Sequence, residues 1–189
     1  MAQQTLHDLK KEVKVKAKSG VDFILAAGLL WCGIACIWTL DFSSYDLSIM
    51  TFIAGALLLP LAFGMSRILK TKWKLKNNPI QPLGLWLNFA QLIYFPLLIF
   101  ILIEDPDYFI MAYAIITGAH LFPYAWFYDE LGYVAGAVII SAGALFMALN
   151  LHKETMYFIP LCTGIILLLL ALWILLRIKK VPSTFGDET

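Results

Sequence analysis

The residues best equipped for chemistry are His120, Thr117, Asn88 and Gln91, with Tyr94, Tyr113 and Tyr124 on nearby turns. All sit inside long apolar runs. An imidazole can carry a proton near neutral pH or serve as donor and acceptor at once. The two amides can orient a ligand, each donating and accepting. Asn88 and Gln91 are spaced i, i+3, as are Thr117 and His120, so each pair shares a helix face. Helix rise puts His120 about 12 Å from the end of its segment at Tyr128, and Gln91 about 10 Å from Gly84. The two polar faces therefore meet at one level. Ionisable groups at membrane depth usually face a bundle interior or a wet cavity. The chemistry expected is recognition of a small molecule or movement of a proton. The same groups could instead hydrogen-bond to one another across the bundle as structural glue.

Bond-making chemistry has no such support. The chain carries no G-x-S-x-G, no H-E-x-x-H and no Walker loop. His7, His120 and His152 fall in different layers, so no metal site and no cofactor are expected. Cys32 and Cys36 are one turn apart on one face, a poor geometry for a disulfide, and with Cys162 they read as small packing residues.

The elements that position these residues follow from composition. Of 189 residues, 61% are hydrophobic and 14% charged. A soluble domain of this size could not hide so much apolar surface, so lipid is the expected solvent. Six apolar segments, near 22–40, 46–66, 84–103, 108–128, 131–150 and 156–178, each suffice to cross a bilayer as a helix. The fold class expected is all-α: a polytopic membrane bundle of six helices over 21–180, with a basic segment at 1–20 and a tail at 181–189. The cationic residues cluster in 10–18, 67–76 and 177–180, and only Lys153 falls elsewhere. The positive-inside rule then puts both termini in the cytoplasm. The turn at Asp129-Glu130 is the weak point, being an inside turn with no cation of its own. A net charge of +1 argues against a nucleic-acid partner.

Leu6, Leu9 and Val13 recur at helical spacing, and Thr5 with Asp8 forms a candidate capping box. This fits a short helix on the bilayer surface with its lysines near anionic lipid headgroups; it also fits a basic tail that only sets topology. Asp22 reads as an ion-pair partner of Lys18 at the inner boundary. Pro60, Pro96, Pro123 and Pro160 lie within segments and are expected to bend them. Gly132 and Gly136 make a G-x-x-x-G face that suits a helix of the same chain or a second copy of the protein. Tryptophans are expected at the two lipid–water boundaries, with Trp31 deeper.

The stretches I-T-G-A-H-L-F-P-Y-A-W-F-Y at 116–128, K-N-N-P-I-Q-P-L-G at 76–84 and N-F-A-Q-L-I-Y-F-P at 88–96 resemble a family of small six-span bacterial membrane proteins of unknown function. The resemblance covers nearly the whole chain. It implies a bacterial inner membrane and a single domain, and brings no catalytic residues. The leading expectation is a protein that binds or transports a small molecule through a pocket between the third and fourth segments. An accessory protein acting through helix association, or an enzyme acting on lipid, are the alternatives.

Overall fold

A computed structural model describes residues 5–75 and 77–179. The expected tail at 181–189, and the basic residues Lys76 and Lys180, lie outside them. The described residues are mostly helical, with no strand among them. Six segments are long and apolar enough to cross a membrane: Lys18–Ile37, Ser44–Leu69, Gln81–Glu104, Pro106–Tyr128, Gly132–Asn150 and Lys153–Ile178. These, called spans one to six, match the sequence expectation within a few residues at each end.

The α-helices in chain order are α1 (Leu6–Lys16), α2 (Val21–Ile37), α3 (Ser44–Gly55), α4 (Leu58–Leu69) and α5 (Gln81–Ala90). They continue with α6 (Phe95–Glu104), α7 (Phe109–Tyr128), α8 (Gly132–Asn150) and α9 (Phe158–Ile178). Two of the four prolines break their spans. Pro60 removes the amide that would bond to Ala56, and span two divides there into α3 and α4. Pro96 stands at the head of α6, and a 3₁₀ turn at Gln91–Tyr94 joins α5 to it. Pro123 lies within an α7 that stays helical from end to end, and Pro160 falls in the first turn of α9, where its missing donor matters little.

The core forms where α2 packs on α9 and α7 on α8. The first of these contacts depends on two glycines. A methyl group on Gly164 would stand 2.8 Å from Cys32 Sγ and 2.9 Å from its backbone nitrogen; one on Gly28 would stand 2.8 Å from a Leu168 methyl. Small residues let the two backbones touch. The Gly132–Gly136 face is likewise covered by this chain's own span six: a methyl on Gly132 would meet Leu170 at 2.9 Å and Trp173 at 3.0 Å. Span three is the outlier, with 6% of its apolar window buried against 50% for span one.

The basic N-terminal segment is a helix, not a loose tail. Thr5 and Asp8 close the expected capping box. Rather than lying apart, α1 is bonded to the end of the bundle where the basic connections gather. Lys16 accepts from the Lys72 amide at 2.9 Å. Asn78 donates to the Leu9 carbonyl at 3.0 Å and to Glu12 at 2.8 Å. The turn that lacked a cation is supplied by its neighbours. Glu130, 2% exposed, lies 3.7 Å from Lys14 and 3.3 Å from Arg177, and accepts from Trp173 Nε1 at 3.0 Å. Lys14 also donates to the Asp129 carbonyl at 2.7 Å. Cations from the two ends of the chain thus neutralise one buried carboxylate.

Two predictions follow from this packing. Gly164→Ala forces α2 and α9 apart and should cost about 1–3 kcal/mol of stability. Gly33→Ala, which meets no atom within 4 Å, should be neutral or stabilising by about 0.5–1 kcal/mol in thermal unfolding. The second concerns Glu12. Partial burial opposes its charge, but bonds from Lys16 and Asn78 outweigh that and hold its carboxyl below the ordinary 4.5. A depressed pKa stabilises the docked helix above the unfolded value and loses that effect as pH falls through the folded one. Amide protection in α1, corrected for intrinsic exchange, should therefore stay level from neutral pH down to the ordinary glutamate range. It should decline only below that range.

Candidate functional site

Three left-handed residues, Lys18, Ser19 and Gly20 (φ 47°, 51° and 68°), turn the chain from α1 into span one. Two of them are not glycine, a conformation that costs about 1 kcal/mol or more for each. The turn is held by its surroundings. Tyr133 donates to the Ser19 carbonyl at 2.5 Å, and a methyl on Gly20 would stand 3.0 Å from the Tyr128 hydroxyl. Lys18 is carried off to the Leu69 carbonyl at 2.7 Å. The expected Lys18–Asp22 pair is therefore absent. Asp22, 1% exposed, accepts from Thr71 Oγ1 at 2.6 Å and from Trp73 Nε1 at 2.5 Å. Two neutral donors from the 70–80 connection have taken the place of the cation.

Next to this corner a cavity of about 550 Å³ opens between spans one, three and four. Its wall is mostly apolar. Six of the seven residues singled out from the sequence line it: Asn88, Gln91, Tyr113, Thr117, His120 and Tyr124. Tyr94 does not, being 54% exposed on the outer side of span three. Tyr94 ends the 3₁₀ turn Gln91–Tyr94, just ahead of Pro96; eclipsing of i and i+3 in such a turn does not by itself account for its outward position. From Trp31 and Tyr113 at the deep end to Trp73 and Gln81 at the basic end, the hollow runs roughly 20 Å by helix rise along α7.

Few of these polar groups bond to the protein. Asn88 Nδ2 donates to the Gly84 carbonyl at 3.2 Å, and Tyr124 OH donates to the same carbonyl at 3.1 Å. The second bond crosses from α7 to α5. Gly84 permits the approach, since a methyl there would stand 3.1 Å from the Phe127 ring. The side chains of His120, Gln91, Thr117 and Tyr113 make no hydrogen bond to any described residue. They are not sealed in either: the one fully buried side-chain polar atom without a partner among the described residues is Ser19 Oγ. The imidazole meets the edge of the Tyr124 ring at 5.2 Å and otherwise faces the cavity. Among the described residues these side chains do not hydrogen-bond to one another, and the bond across the two spans is that of Tyr124 to the Gly84 carbonyl.

Sequence reasoning missed Asp22, Trp73, Tyr128 and Tyr133 as members of this wall. Tyr124, Tyr128 and Tyr133 form a ring cluster with centroids 5.7–5.9 Å apart. A signal for Asp22 existed, since a carboxylate in the first turn of an apolar helix must find donors. Nothing pointed to Thr71 and Trp73 as those donors. Several tryptophans expected only as boundary anchors serve as donors: Trp38 to Thr51 at 2.8 Å, Trp73 to Asp22 and Trp173 to Glu130. A larger hollow of about 820 Å³ lies at the opposite end, framed by residues 38–47 and by Asp107 and Lys153, which form an ion pair. No residue of the predicted constellation belongs to it.

The Tyr124–Gly84 bond is the polar tie between spans three and four, and Tyr124→Phe removes it while keeping the ring. The expected loss is about 0.5–1.5 kcal/mol, with increased amide exchange confined to span three. Uniform loosening of all six spans would mean that the tie is not local.

No curated protein and no solved structure matches the chain. Residues 6–177 match a family of unknown function, DUF7010. That match takes in every residue of the cavity wall and all six apolar helices but for the last residue of span six, so the chain, all-helical over its described residues with six candidate membrane spans, belongs to this family.

Proposed function

We propose that the protein binds a small molecule within the membrane, in the cavity between spans one, three and four, either to transport it or to sense it. The observation that carries this reading is the state of the polar groups there. His120, Gln91, Thr117 and Tyr113 face one hollow without hydrogen-bond partners among the described residues. In an apolar environment an unpaired amide or hydroxyl costs roughly 1–3 kcal/mol, which recognition of a polar ligand would offset. The volume lies in the range of small-molecule sites, which are largely apolar with a few convergent polar groups. His120 serves as the hydrogen-bonding or protonatable centre, while Asn88 and Gln91 orient the ligand.

The gathering of basic connections at one end supports placing that end in the cytoplasm of a bacterial inner membrane, with both termini inside. The lysines of α1 then lie near anionic headgroups, although its docked position makes it part of the cavity wall through Val13 and Ala17. The accessory-protein alternative loses its main support, since the Gly132–Gly136 face is already covered by span six.

The test is native mass spectrometry of the purified protein in lipid nanodiscs. Wild type should retain a non-lipid small molecule, and His120→Ala or Gln91→Ala should reduce retention by about tenfold. Tyr94→Ala should behave as wild type. A wild-type protein that retains nothing, with His120→Ala and Gln91→Ala unchanged in stability, would sink the binding reading.

A further inference from the structure

Resting on that reading of the cavity, we infer that its ligand is an organic cation: a quaternary or protonated amine carrying apolar groups. Asp22 provides the charge. Its carboxylate lies in the cavity wall, and both of its hydrogen bonds, from Thr71 and Trp73, fall on Oδ2 and come from neutral donors. No lysine or arginine among the described residues lies within ion-pairing distance, although Lys18 is only four positions away. Position in the first turn of α2 eases the charge through the helix dipole but does not neutralise it. Buried carboxylates usually meet a cation, as Glu130 does here. For Asp22 the cavity is the side from which one can come.

The rest of the wall suits such a guest. Trp31, Trp73, Tyr113, Tyr124, Tyr128 and Tyr133 present aromatic rings around the hollow. Ring faces attract cations, most strongly where water is excluded, and weakly hydrated ammonium groups with apolar substituents gain most. His120 and the two amides remain for a polar group at the deep end. Lys72 and Lys74 also touch the cavity, and they are the argument for an anion. Both are exposed on the 70–80 connection, so solvent and salt screen their charge; Asp22 is nearly sealed and feels little screening.

The experiment titrates the full chain in phosphatidylcholine nanodiscs by calorimetry, with empty nanodiscs as blank. Three probes of similar size are used: phenyltrimethylammonium, its neutral isostere tert-butylbenzene, and benzenesulfonate. The expected result is that the cation binds about tenfold or more tighter than the neutral isostere. Asp22→Asn should reduce cation affinity by about tenfold and leave the isostere unchanged. Asparagine can still accept from Thr71 and Trp73, so the corner should hold; if that variant fails to reconstitute, the order of the three probes on wild type decides alone. Equal affinity for cation and isostere, with Asp22→Asn silent, overturns charge recognition while leaving the cavity a small-molecule site. Benzenesulfonate binding tightest overturns it in favour of an anion. If none of the three binds, the cation assignment falls, and the retention experiment judges the cavity separately.

Discussion

Six helices long and apolar enough to cross a membrane would find no hydrogen bonds in its hydrocarbon, so polar groups placed between them call for partners in the chain itself. Most of the structure answers that demand. Thr163 bonds back to the Ile159 carbonyl at 2.9 Å and Thr51 to that of Leu47 at 2.8 Å. Trp38 reaches Thr51, Tyr133 reaches the Ser19 carbonyl, and Glu130 accepts from two donors on α9 and pairs with Lys14 of α1. Apart from Ser19 Oγ, fully buried without a partner among the described residues, the exceptions are not scattered. They collect around one hollow, on side chains from spans three and four. Because the rest of the bundle is so thoroughly paired, that concentration is the strongest chemical signal in the molecule.

Much of this was legible in the sequence because apolar runs of this length leave few choices of element. Runs of apolar residues between charged connections define the spans, and the convergence of Asn88, Gln91, Thr117 and His120 follows from helix rise and an antiparallel hairpin. What periodicity cannot supply is the phase after a break. Tyr94 stands outside the constellation, exposed at the end of the 3₁₀ turn where span three breaks. Nor can periodicity supply contacts far apart in sequence. Asp22 meets Thr71 and Trp73 across some fifty residues, and Lys14 meets Asp129 across 115. Those pairings depend on the left-handed turn at 18–20, which only the assembled surroundings hold in place.

Span three occupies an unusual position. It contributes two amides to the cavity yet buries little of its own surface, and its side-chain hydrogen bond to span four among the described residues is the one from Tyr124 to the Gly84 carbonyl. Trp86, Ile93, Phe100 and Ile103 are all more than 60% exposed, facing outward as side chains that suit lipid. The wall of the site made by span three is therefore the least firmly held part of the bundle. Elements that move on binding are generally drawn from such weakly packed regions.

The clasp around Glu130 also has a history in time. Its first cation, Lys14, is synthesised about 115 residues before the carbonyl and carboxylate it will hold, a gap of roughly 6–20 s at ordinary rates of translation. Throughout that interval α1 has neither Asp129 nor Glu130 to dock on, and Arg177 has not yet been made. The partners of α1 at Lys72 and Asn78 are made well before then, so its seat is assembled in two stages, with the Glu130 part second. Closure of the basic end is a late event in biogenesis, completed only when the last helix arrives.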